Sequence, residues 1–157
     1  MEDNTTYPVV DEARKPDFEY ATPGQRFANY LIDFVVGLFL YFVVLVLLAM
    51  VLQSVGKNLR ETMALLHNRH FRFPIFFLVD IVTYTLFEGD TKGRTVGKLI
   101  TGTQAVREQD LSPITWKDAL IRSLIRLVPF EPFTAFAGSP LHDKWSKTCV
   151  ITKRQER

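Results

Sequence analysis

The chain has 157 residues, a length that suits one domain, and 47% of them are hydrophobic and 23% charged. Its net charge of +2, with basic residues scattered rather than gathered in a stripe, argues against a nucleic-acid partner. A lone cysteine, Cys149, excludes an internal disulfide.

Residues 1–20 are polar and charged, with few aliphatics, and predict a disordered or loosely attached tail. They lack the basic start and short apolar core of a cleavable signal peptide, so the first span is expected to persist as a signal anchor. Thr22 and Pro23 then predict a helix start, with Thr as N-cap and Pro at the first helical position. That helix is expected to run to Leu52. Its nineteen residues Phe34–Leu52 carry no charge. At 1.5 Å per residue they cover about 28 Å, close to the roughly 30 Å of a bilayer core. A buried soluble helix seldom stays apolar on every face for so long.

Residues 53–72 form a polar connection holding Lys57, Arg60, Arg69 and Arg72, with a short interfacial helix expected over Leu59–Leu66. A second apolar run, Phe71–Phe87, covers about 25 Å as a helix and is interrupted by Asp80. Gly89, Gly93, Gly97 and Gly102 follow and argue against a regular helix there. Leu99–Arg107 and Thr148–Thr152 are β-prone and are expected to pair as two strands. Ser112-Pro113 predicts the start of a third helix, with Thr115 and Asp118 offering a second capping arrangement. Pro129 and Pro132 break it. Residues 113–140 therefore predict a proline-broken amphipathic or re-entrant hairpin, with a full third span as the alternative.

Charge distribution favours the hairpin. With two full spans, the N-terminal tail to Arg26 holds three Lys/Arg, the loop 88–118 five and the C-terminal tail five, against four in residues 53–72. The positive-inside rule then places both termini in the cytoplasm of a cell-membrane protein. The predicted class is a mainly α membrane protein with two transmembrane helices and a small two-stranded element on the cytoplasmic side. The membrane domain covers 21–152, with a short C-terminal tail at 153–157.

Chemistry concentrates on charges inside the apolar runs. Arg26 and Asp33 are seven residues apart, close to two helical turns, so they share a stripe with Tyr30, Gly37 and Tyr41. Lipid cannot satisfy that stripe, so it should face protein or a wet cavity. Asp33 is either an ion or proton site or a buried polar clamp. Asp80, with Thr83 and Tyr84 one turn on, forms a second stripe apt to face the first. The two carboxylates could share a cation or each take an arginine. Arg122 and Arg126, four apart, are the candidate partners, with lipid headgroups as their other destination and the preferred one for Arg126.

Other patterns fail. Gly93–Lys98 echoes a phosphate loop but is one residue short, and Leu99 stands where a Ser or Thr would reach magnesium. His67 and His70 lack companion metal ligands, and Ser139–Asp143 is adjacency rather than a triad. No enzyme, metal or cofactor is expected. The expected partners are the bilayer and either further copies of the chain or another membrane protein.

Four segments together resemble the RDD family: Gly24–Asp33, Thr95–Gly102, Arg122, and Leu141–Thr148 with its His142-Asp143. The resemblance covers about residues 22–152 and makes Arg26, Asp33 and Asp143 the residues for which that family is named. It departs at Trp145 and in the short stretch between Arg122 and His142. It implies a multi-pass membrane protein, proposed as a transporter with sodium/proton exchange suggested for some members, while other relatives look like assembly or scaffold subunits. It also gives Asp143 a place near Arg26, where the arginine's forked donors suit a carboxylate and would fasten the C-terminal strand to the first helix.

Overall fold

In the computed structural model, residues 18–128, 134 and 140–153 are described. Two helices dominate. Helix α1, Pro23–Ser54, starts where the sequence predicts. The Thr22 side chain accepts from the Gln25 backbone while the Gln25 side chain accepts from the Thr22 N–H, closing a capping box. Gly56, at φ 90°, then helps reverse the chain into α2, Leu59–His67, capped by Asn58. Asn68 ends α2 and caps α3, Arg69–Asp90. Helices α1 and α3 are both long and apolar enough to cross a membrane.

Their buried residues are the few non-lipidic ones. Asn29, Asp33 and Tyr41 are the buried residues of α1, and Tyr84 and Glu88 those of α3. Most other side chains on α1, including Phe39, Val46, Leu47 and Met50, are exposed. Gly37 meets the Asp80 carboxylate, and the Tyr41 ring lies edge-on to Phe76 at 5.4 Å. The two polar stripes predicted to face one another do so.

At the Arg26 end of this pair sits a small polar-and-sheet layer. After Asp90 the chain turns through Gly93, whose φ of 97° only glycine adopts freely. A Cβ there would lie 2.1 Å from the Ala105 carbonyl oxygen. The short helix α4, Val96–Thr101, follows, and then strand β2, Thr103–Arg107. Helix α5 is Trp116–Ile125, α6 is Leu141–Ser146, and strand β3 is Thr148–Lys153. With β1, Phe18–Tyr20, the strands form an antiparallel sheet ordered β1-β3-β2. Phe18 pairs with Lys153, and Thr103 with Thr152. Ala21, Ala105, Ile114, Ala119 and Val150 make its apolar core.

Four expectations change. The sheet has three strands, because Phe18–Tyr20, read as the end of a tail, pairs with β3. Glycine did not prevent helix: Gly89 lies inside α3 and Gly97 inside α4, which also takes Leu99–Thr101 from the predicted strand. Both glycines are demanded by packing, since a Cβ at Gly89 would strike the Trp116 ring at 2.5 Å and one at Gly97 the Asn29 carbonyl at 2.5 Å. The third helix starts at Trp116, not Pro113, because the Thr115–Asp118 capping box wins and Pro113 is held beside Val106 in a β-bridge. At ten residues, α5 covers about 15 Å, too short to cross a bilayer by itself. The proline-broken part of the predicted hairpin, like residues 1–17 and 154–157, lies outside the described residues.

Candidate functional site

The site is an ionic cluster where α1, α3, α4, α5 and α6 converge. Asp143, in the first turn of α6, takes Arg26 from α1 and Arg122 from α5, the latter at 2.6 Å. Arg122 also donates to the Thr148 hydroxyl at the head of β3 and, through Nε, to Glu88 at 2.8 Å. Glu88 further accepts from Lys98 Nζ at 2.5 Å and Arg126 at 3.1 Å. The side chains of Arg122 and Glu88 are fully buried.

The elements place these members for local reasons. Arg26 is in the first turn of α1, and its Nε donates to the Ala21 carbonyl. Glu88 ends the apolar run of α3, two turns beyond Asp80. Arg122 lies on the buried side of α5 with Ala119 and Ser123. Thr85 and Ser123, hydrogen-bonded at 3.1 Å, join the same two helices. Arg126 stacks its guanidinium 4.2 Å from the Tyr84 ring centroid, a cation–π contact.

Such burial is costly unless every charge is partnered. Burial alone would lower the Arg122 pKa, but Glu88 and Asp143 hold it above its ordinary value. Burial pulls the Lys98 ammonium down to about 8, with Glu88 opposing and Arg122 and Arg126 adding to the fall. Buried His142, with Nε2 at 3.4 Å from Asp143, is pushed well below 6.5 by desolvation and then by Arg126, Arg122, Lys98 and Arg26. It is neutral at ordinary pH.

Asp33 stands apart from this cluster. One oxygen accepts from the Thr95 hydroxyl at 2.6 Å and the other from the Gly97 N–H at 2.7 Å. Thr95 is itself the N-cap of α4. Asp33 therefore reaches the start of α4, where free N–H groups and the helix dipole favour a carboxylate. Nearby Asn29 donates to Thr103 and accepts from Thr101, so α1 grips both ends of α4.

The predicted residues thus divide. Arg26, Arg122 and Asp143 come together, and the Arg26–Asp143 pair joins the C-terminal segment to the first helix. Neither arginine reaches Asp33 or Asp80. Arg126, expected at lipid headgroups, instead binds Glu88. Asp80 makes no hydrogen bond among the described residues, and with Asp33, Gly37, Thr83 and Tyr84 it lines a cavity of about 10 Å³. Sequence reasoning missed Glu88 and Lys98. The available signal was an acidic residue closing an apolar run, on the stripe of Asp80 and Tyr84. Among the described residues no group of His, Cys, Asp and Glu is placed to hold a metal ion.

The arrangement defines a class: a small protein of two long apolar helices whose one end is welded to a strand-and-helix cap by buried ion pairs. The sequence profile of the RDD family matches residues 20–147, and the chain belongs to that family. No curated protein and no solved structure matches it.

Proposed function

We propose that this protein is a non-transporting scaffold or assembly subunit of a membrane protein complex. Helices α1 and α3 cross the bilayer, with the sheet and both termini on the cytoplasmic side. The observation that carries this reading is the occupation of the charged groups. Both Asp33 oxygens are taken by Thr95 and Gly97, and Asp143 and Glu88 are each held by two or more cations. A carboxylate so engaged is poorly suited to load and release an ion. Arg26 and Asp33 fix the cap on its helices, while the exposed apolar faces of α1 and α3 offer surface to lipid, to further copies or to a membrane partner.

A second reading rests on Asp80. It makes no hydrogen bond among the described residues, and its cavity is about the size of one water. That is the minimum for a proton site in a transport subunit, which would need several copies to enclose a path. Proteoliposomes separate the two. The scaffold reading expects no proton or sodium flux from the purified chain, and a second membrane protein co-purifying at fixed stoichiometry in mild detergent. Flux abolished by Asp80→Asn would overturn it in favour of transport.

A further inference from the structure

Between the first turns of α3 and the middle of α1, away from the ionic cluster, lies a second feature that the scaffold reading does not use. A cleft of about 370 Å³ opens between α1, α2 and α3. That volume falls at the lower end of the roughly 300–1,000 Å³ of small-molecule sites. Leu38, Phe42 and Phe76 give it an apolar wall, and Arg69 and Arg72 also line it. Arg72 is fixed rather than free. Its Nε donates to the hydroxyl of Tyr41 at 3.2 Å, and Tyr41 is itself buried. The remaining guanidinium nitrogens make no hydrogen bond among the described residues.

Charge balance completes the picture. Residues 53–72 hold four Lys/Arg and one carboxylate, Glu61. Glu61 is engaged with Asn58 in capping α2. Among the described residues no carboxylate pairs with Arg69 or Arg72. The first turns of α3 therefore present guanidinium groups with no carboxylate partner among the described residues, beside an aromatic wall.

We propose that this cleft seats one acidic phospholipid, its phosphate on Arg72 and Arg69 and the first part of an acyl chain along Leu38, Phe42 and Phe76. The guanidinium fork suits phosphate oxygens, and the apolar wall suits a chain that a soluble anion lacks. General snorkelling needs neither a buried tyrosine under the arginine nor a cleft beside it.

The test is native mass spectrometry of the full-length protein in mild detergent with phosphatidylglycerol, phosphatidylcholine or inorganic phosphate added. Wild type should retain one phosphatidylglycerol in preference to phosphatidylcholine. Arg72→Gln removes the charge, and Leu38→Trp fills the cleft while leaving both arginines. Arg72→Gln should weaken retention about tenfold, the effect of losing one charge-assisted contact, and Leu38→Trp should weaken it by steric exclusion of the chain. Lys57→Gln, a neutralisation away from the cleft, should leave it unchanged. Thermal melting of each variant checks that it is folded. Equal retention of the two lipids, or equal loss in Lys57→Gln, overturns the proposal. Binding of inorganic phosphate without retained lipid overturns the lipid as its source.

Discussion

Replacing Asp143 by Asn removes the charge that joins Arg26 to Arg122 while keeping the side-chain shape. Arg122 is then left with Glu88 as its carboxylate, and Arg26 with the Ala21 carbonyl. Breaking a buried pair by removing one partner costs about 3–5 kcal/mol. The lower end applies here, because the Arg26 side chain is 12% exposed and water relieves part of its loss. Asp143 sits in the helix just ahead of β3, so the loss should loosen that strand. Cys149, the lone cysteine, is buried in β3 and reports its opening. Burial shields the thiol and holds its pKa up, so labelling is slow while the strand is in place. If labelling tracks the opening equilibrium, about 3 kcal/mol corresponds to roughly 150-fold faster modification by a thiol reagent at fixed pH. Asp80→Asn, a charge loss without a lost hydrogen bond, should change the rate only a few-fold. Labelling of Asp143→Asn within threefold of wild type would refute the view that this carboxylate holds the cap.

Three other changes test neighbouring contacts. Gly97→Ala forces a methyl to within 2.5 Å of the Asn29 carbonyl, so it should destabilise by about 1–3 kcal/mol and speed Cys149 labelling. An unchanged rate would mean that α4 can shift off α1 freely. Asp33→Asn leaves the buried Gly97 N–H or the Thr95 hydroxyl facing an amide donor, a loss of about 1–3 kcal/mol measurable as a lower melting temperature in detergent. His142 stays neutral when folded, whereas the unfolded chain takes up its proton near pH 6.5. Stability should therefore fall as pH drops below 6.5, by up to about 1.4 kcal/mol per pH unit. His142→Asn should remove that part of the fall, and parallel melting curves for the two proteins from pH 7.5 to 5.5 would contradict it.

What the sequence made legible was periodic or local. The apolar run after Asp33, the Thr22-Pro23 cap, the shared stripe of Asp33, Gly37 and Tyr41, and the β-prone run at Thr148 all signal through spacing or short-range capping. The joining of Arg26 to Asp143 came through family resemblance, since nothing local links two charges so far apart. Glu88 was hidden because a charge closing an apolar run looks the same whether it meets water or two arginines. The Gly89 and Gly97 reading failed for a related reason. Propensity penalises glycine in a helix by about 1 kcal/mol, but a ring of Trp116 or a backbone of Asn29 pressed against that helix leaves no room for anything else. Phe18–Tyr20 could not be placed because its strand partner lies at the other end of the chain.

That long reach has a consequence for biosynthesis. Arg26 is separated from Asp143 by 117 residues. At roughly 5–20 residues per second, the arginine leaves the ribosome about 6–23 s before its carboxylate exists. Throughout that interval α1 can enter the membrane, but its charged base has no partner in the cap and β1 has no neighbour to pair with. The cluster closes only once α6 with its Asp143 has been made. A chain cut short before α6 would therefore carry its full apolar helices with Arg26 lacking its carboxylate partner at their foot.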